Sequence, residues 1–196
     1  MTTQLLTATA RSRAKETRRR ALLDAASRLF AERGFNGVTI EELGAAAGVS
    51  GPAVYKHFGG KQAILAALLV EASEGLHSGG AGVIATGRGS EALHALVAFH
   101  VDFSLANANV IRVQDRDLEQ LGIDDRHTVR TLQRRYVELW VDVLAYLAPD
   151  TDPAVLRTRA HAVFGLLNST PHSGLALDNV TLRGELERMA LAALTA

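Results

Sequence analysis

Between Thr39 and Lys61 the chain reads TIEELGAAAGVSGPAVYKHFGGK, and its candidates for chemistry are Ser50, Gly51, Pro52, Ala53, Tyr55, Lys56 and His57. If Val54 and Phe58, four apart, mark the inner side of a short helix running from about Gly51 to His57, these residues face outward. Small, aromatic and basic groups together suit a duplex groove. Hydroxyl and ammonium groups donate to phosphate oxygens and base edges, and small residues let the backbone approach. An ordinary αα-hairpin would show the same bare pattern, so the surroundings have to decide between the two.

No other constellation competes as an active site. The histidines, His57, His77, His94, His100, His127, His161 and His172, form no His-Glu-x-x-His pair or other compact metal pattern. Asp115, Asp117, Glu119, Asp124 and Asp125 read as solvated loop charges, and Ser169 and Ser173 lack a Gly-x-Ser-x-Gly elbow. Gly75–Gly89 is glycine-rich but has no Gly-Lys-Ser/Thr and no preceding strand, which argues against a phosphate loop. No catalytic residue, metal or cofactor is expected.

The elements that must hold the outward face are encoded locally. Thr39 can cap a helix, Glu42 can reach back to the Thr39 amide, and Val38 can pack onto Leu43 across the start. Gly44 keeps bulk away from the crossing helix, while Gly48 can take the positive φ of the turn. Ser50 stands as the cap of the next helix and Pro52 sits in its first turn, where no intrahelical N–H is lost. Upstream, Leu22, Ala25, Ala26, Leu29 and Phe30 give a first helix its inner stripe, with Gly34 as its cap and Phe35 folding back.

Charge sets this end of the chain apart. Residues 1–61 hold ten Lys or Arg against five acids, and residues 62–196 hold eleven against sixteen, so a net charge of zero conceals a basic end and an acidic body. A basic cap is the electrostatic footprint of a duplex binder.

A basic arm, a helix ending LFAERGF (Leu29–Phe35) and the Thr39–Lys61 segment together resemble the TetR family of bacterial transcriptional regulators over about residues 17–70. The resemblance implies an all-α homodimer: a flexible basic arm over 1–15, a three-helix DNA-binding head over 16–61, and a ligand-binding and dimerisation body over 62–196, about nine helices in all. It implies that Thr39, Tyr55 and Lys61 touch phosphates, that Ser50, Gly51, Pro52, Ala53, Lys56 and His57 approach bases or backbone, and that Arg18 belongs to the same surface. It also implies a double-stranded palindromic operator and a small effector that releases it, with a fatty acyl group or acyl-CoA the first guess and an aromatic or antibiotic-like molecule the second. Two departures stand out. Gly51-Pro52-Ala53 replaces the usual Lys/Arg-Gly-Thr, and Gly60 replaces a Ser or Asn cap on the fourth helix. A constitutive architectural DNA binder without an effector is the alternative.

The rest of the chain reads as helices. A fourth runs to about Glu74 through Ile64, Leu65, Leu68, Leu69 and Ala72, and the six glycines of 75–89 then predict a mobile linker. A fifth carries Leu93, Leu96, Val97, His100 and Val101, and an irregular sixth lies near 107–119. A seventh repeats Val129, Leu132, Tyr136, Trp140, Val143 and Leu147. The eighth starts at Asp152-Pro153 and the last at about Thr181, with Leu182, Leu186, Met189 and Ala193 recurring. Those last two helices either pair with a second copy or close the chain's own core. Phe99, His100, Phe103, Tyr136, Trp140, Asn168 and His172 are candidate effector lining, though helix-end caps would explain the polar members equally well. The chain has no cysteine, the N-terminus shows no signal peptide, and no apolar run is long enough to span a membrane; a cytoplasmic protein is the expectation.

Overall fold

A computed structural model describes residues 2–173 and 177–196, and the side chains of 12–172 and 177–196. Met1 and the end of the 164–174 polar segment, Gly174, lie outside the described residues, as do the side chains of 1–11 and Ser173. The described residues are α-helical apart from turns and one 3-10 turn, Leu118–Gln120. The helices are α1 (Thr2–Arg33), α2 (Ile40–Ala46), α3 (Gly51–Val54), α4 (Lys61–Ile84), α5 (Ser90–Ala106), α6 (Ala108–Asp117), α7 (Ile123–Leu147), α8 (Pro153–Leu167), α9 (Thr170–Ser173) and α10 (Asn179–Leu194). They form two compact units, residues 1–70 with 112–126, and residues 71–111 with 127–196.

In the first unit Leu22, Ala26 and Phe30 of α1, Leu43 of α2, Val54 of α3 and Ile64, Leu65 and Leu69 of α4 are buried in a small core. The unit is larger than the expected head, since it takes in 112–126. Asp117 is not a solvated loop charge: it is 5% exposed, accepts from the Phe35 amide at 3.3 Å and pairs with Arg116 at 3.0 Å. The Arg116 guanidinium in turn donates to the Phe30 and Ala31 carbonyls in the last turn of α1, the first of which also accepts from the Gly34 amide at 2.8 Å. Glu119 pairs with Arg126, and Asp124 and Asp125 stand in the first turn of α7, where negative charge is favoured. From Thr2 on, the 1–15 arm is also not irregular. It continues α1, because nothing from Thr2 to Lys15 is Pro or Gly and Ala, Arg, Leu and Gln favour the helix.

In the second unit one core joins Leu93, Leu96, Val97 and Val101 of α5, Tyr136, Trp140 and Leu144 of α7, Leu156, Ala160, Val163 and Leu167 of α8, and Leu182, Leu186, Ala190 and Leu194 of α10. Helix α10 packs on α5 and α8, so its Leu182–Leu194 stripe closes the chain's own core, while Met189 and Ala193 lie outside it. Leu147, expected inside on α7, is 40% exposed one turn beyond the buried Leu144.

The expected linker over 75–89 is instead helix as far as Ile84, where α4 ends, and only 85–89 lie between α4 and α5. Two of the α4 glycines, Gly79 and Gly80, are there for packing. A Cβ on Gly79 would lie 2.3 Å from Phe99 Cζ, and one on Gly80 would lie 2.5 Å from Tyr136 Cε2. Two aromatic rings therefore rest directly on the α4 backbone. That packing offsets a helix-propensity cost of about 1 kcal/mol per glycine.

Candidate functional site

The turn from α2 to α3 is held from three sides. The Thr39 hydroxyl accepts from the Glu42 amide at 3.2 Å, and the Glu42 carboxylate accepts from the Thr39 amide at 2.8 Å, a complete capping box. Arg33 of α1 reaches the same carboxylate at 2.7 Å. These bonds, that to the Thr39 amide foremost, hold the Glu42 carboxyl below its ordinary range. A Cβ on Gly44 would stand 2.8 Å from the Val49 carbonyl oxygen and 3.2 Å from Val54, so only glycine allows this approach of α2 to α3. Gly48 makes the corner with φ of 70°.

The α-helical part of α3 is shorter than expected, Gly51–Val54, and i→i+3 bonds from Lys56 to Ala53 and from His57 to Val54 carry the turn on to His57. Pro52 lies in the first turn as anticipated. Ser50 occupies the cap position, but its side chain makes no capping bond, which leaves an exposed hydroxyl. Pro52 and Lys56 are exposed and Tyr55 is 59% exposed, while Gly51 and Ala53 are partly covered and Val54 and Phe58 are buried. His57 is only half outward, because its Nδ1 is buried without a hydrogen-bond partner.

Two expected phosphate ligands already have structural work. The Thr39 hydroxyl donates to Glu42 at 3.0 Å, so a phosphate would compete with that carboxylate for its proton. Lys61 Nζ donates to the Phe35 and Val38 carbonyls, each at 2.9 Å, and sits 4.5 Å from the centre of the Phe35 ring. Its ammonium has one donor left for an anion. The Gly60 departure has a backbone cause: φ is 148° there, and the Gly60 carbonyl accepts the first bond of α4 from Ile64. Arg18 is exposed on α1, and its neighbour Arg19 lies over Phe58 at 5.2 Å.

In the second unit, four of the candidate lining residues surround a fifth, His100. His100 is 2% exposed, stacks on Tyr136 at 5.7 Å between ring centres, meets Trp140 edge-on at 5.9 Å and lies 6.3 Å from Phe103. Its Nε2 is 3.2 Å from Asn168 Oδ1, which can only accept, so Nε2 carries the proton and Nδ1 accepts from the Tyr136 hydroxyl at 3.1 Å. Ser104 also donates to Asn168 Oδ1, at 3.4 Å. Burial lowers the His100 pKa to about 4, with the Asn168 bond opposing, and the imidazole is neutral. Burial raises the Tyr136 phenol, opposed in part by the Trp140 N–H, which lies outside ordinary hydrogen-bond geometry and is otherwise unpartnered. Phe99 lies against Gly79, and His172 stands apart, exposed on α9. The candidate lining omits Phe164, which stacks on His100 at 5.0 Å and on Tyr136 at 5.6 Å. Its ring partners lie on α5 and α7, distant in the chain, and no local pattern pairs them.

Residues 22–68 match the family of bacterial regulatory proteins named for tetR, and residues 86–172 match the tetracycline-repressor-like C-terminal domain. Over 132 residues the chain is 31% identical to the transcriptional repressor KstR2 of Rhodococcus jostii, a match covering 66% of this chain and 65% of that protein's length. Its fold is similar to that of the TetR-family regulator PfmR of Thermus thermophilus (TM-score 0.76, 22% identity, 89% of this chain and 97% of that one). It is also similar to FadR of Bacillus subtilis, solved with stearoyl-CoA (TM-score 0.70, 18% identity, 88% and 97%). With both the helix-turn-helix head and the helical body matched, the chain belongs to the TetR family of bacterial regulatory proteins.

Proposed function

We propose that this chain is a ligand-responsive repressor that binds a palindromic operator as a homodimer. The observation that carries the reading is the exposed set Ser50, Pro52, Tyr55 and Lys56, presented on a basic unit whose turn is fixed by the Thr39–Glu42 box and the Gly44 contact. With no polar side chain between Gly51 and Ala53, base readout falls to Ser50, Lys56 and the outer edge of His57, together with duplex shape. Arg18, Tyr55 and the spare Lys61 donor serve the phosphates. Thr39 serves them by yielding its Glu42 bond.

Dimerisation is supported by the outer faces of α8 and α10, where Val155, Ala162 and Gly165 stand exposed beside Val180, Gly184, Met189 and Ala193. Small and apolar residues on two packed helices suit a four-helix interface with a second copy. Reading two half-sites in successive major grooves requires the two heads of such a pair to stand about 34–36 Å apart.

For the effector we propose an acyl group or acyl-CoA, supported by the aromatic set around His100 and by the similarity to a regulator solved with stearoyl-CoA. Helix α4 runs unbroken from Lys61 at the turn to Gly79 and Gly80 beneath the Phe99 and Tyr136 rings. An effector that moves those rings would therefore act on α4 first. Tenfold weaker operator binding requires a coupling of about 1.4 kcal/mol, and DNA must weaken effector binding equally. The test is retardation of the DNA upstream of the chain's own gene, with and without a panel of acyl-CoAs. Retardation relieved by a thioester is expected; retardation that no small molecule alters would leave a constitutive DNA binder.

A further inference from the structure

Among the described side chains Leu22 is the first buried one along α1, and those of residues 12–18 are exposed. This part of α1 therefore stands beyond the core it leads into. It is regular helix, with the Thr17 hydroxyl donating to the Arg13 carbonyl at 2.9 Å. Its charges are sorted by face. Lys15, Arg18 and Arg19 precede Leu22 by seven, four and three residues and share its side of the helix. Arg13, Glu16, Arg20 and Asp24 fall on the opposite side, where two charges of each sign cancel. The whole surplus lies on the face that, from Leu22 on through Ala26 and Leu29, enters the core.

That face has a fixed place in the first unit. The Arg19 guanidinium lies over the Phe58 ring at 5.2 Å, and Phe58 directly follows Tyr55, Lys56 and His57. Lys15 stands one turn further out, about 6 Å along the axis from Arg19 and about 10 Å from Leu22. The basic face thus starts beside the end of the exposed turn and continues past it. Like charges three and four residues apart weaken a helix by themselves. A polyanion laid along the face removes that cost, and a strand of duplex running past α3 carries phosphates at the required spacing.

We infer that the overhanging part of α1 is a second duplex contact, in which Lys15 and Arg18 follow phosphates flanking the bases approached by Ser50 and Lys56, while Arg13 and Arg20 stay in solvent. The inference rests on the proposed DNA-binding reading and adds to it a rigid flanking contact that reads no base. Because the segment is already helical, little order has to be gained on binding.

The test is the dissociation constant of the full chain for a labelled fragment from upstream of its own gene and for a scrambled fragment of equal length, from 50 to 200 mM salt. Wild type is compared with Lys15→Ala and with the opposite-face variant Arg13→Ala. Both positions are exposed and alanine favours the helix, so both variants should keep the wild-type melting temperature. Lys15→Ala is expected to weaken both fragments severalfold at 50 mM, with a salt slope shallower by about 0.9 for each copy bound. Arg13→Ala is expected to bind like wild type. The inference is overturned if Lys15→Ala keeps the wild-type affinity and slope, or if Arg13→Ala weakens binding as much, which would make the effect one of net charge. A loss confined to the upstream fragment also overturns it, since a phosphate contact is indifferent to sequence. So does a changed oligomeric mass in Lys15→Ala, which would make the face a contact between copies. Wild type that binds neither fragment at 50 mM would refute the DNA-binding reading itself, and this contact with it.

Discussion

Lys56 and Lys61 lie in the same short segment and have different surroundings. Lys56 is exposed, whereas Lys61 spans two backbone carbonyls and the Phe35 ring. Lys61→Ala is therefore expected to cost about 1–2 kcal/mol of stability, seen as a lower melting temperature, in addition to weakening DNA binding on every sequence. Lys56→Ala should leave melting unchanged and alter the sequence preference; equal melting losses in the two variants would contradict this assignment. His100 makes a prediction of a different kind. Its folded pKa of about 4 lies below the ordinary 6.5, so the unfolded chain binds the extra proton between those values. Stability present above pH 6.5 should fall by up to ~3 kcal/mol as the pH drops toward 4. Denaturant titrations across that range would show it, and His100→Gln should flatten this part of the curve.

At the scale of elements, the glycines of α4 can be told apart by what each faces. Gly82 is exposed with open space around it, so Gly82→Ala should stabilise the helix by about 0.5–1 kcal/mol. Gly80→Ala should destabilise by about 1–3 kcal/mol, because Tyr136 is buried and held by its His100 bond and cannot swing clear. Thermal melts of the two variants should move in opposite directions. This contrast also marks the limit of legibility. The Thr39–Glu42 box, the Gly44 and Gly48 roles and the Pro52 position are fixed within a few residues and could be read directly. Gly79 and Gly80 could not, because their reason lies with Phe99 and Tyr136, and local propensity alone makes six glycines a break. Asp117 misleads in the same way: its partners include the Phe35 amide, 82 residues distant. Within the aromatic set, the spacing in α5 and α7 indicated His100, Tyr136 and Trp140. The stacking of Phe164 needed the packing of α8 against them.

For the whole molecule, the uneven charge is the property on which function depends most. A basic end on an acidic body predicts DNA affinity that is electrostatic in origin and falls steeply with salt. The most direct test is the dissociation constant of the full chain for a labelled fragment from upstream of its own gene, measured from 50 to 200 mM salt for wild type and Lys61→Ala. The expected result is a loss of affinity on the order of a thousandfold for wild type, with a slope shallower by roughly one unit in the variant. Absence of binding at the lowest salt, or wild-type binding insensitive to salt, would contradict the assignment of the Ser50–Lys56 face to DNA.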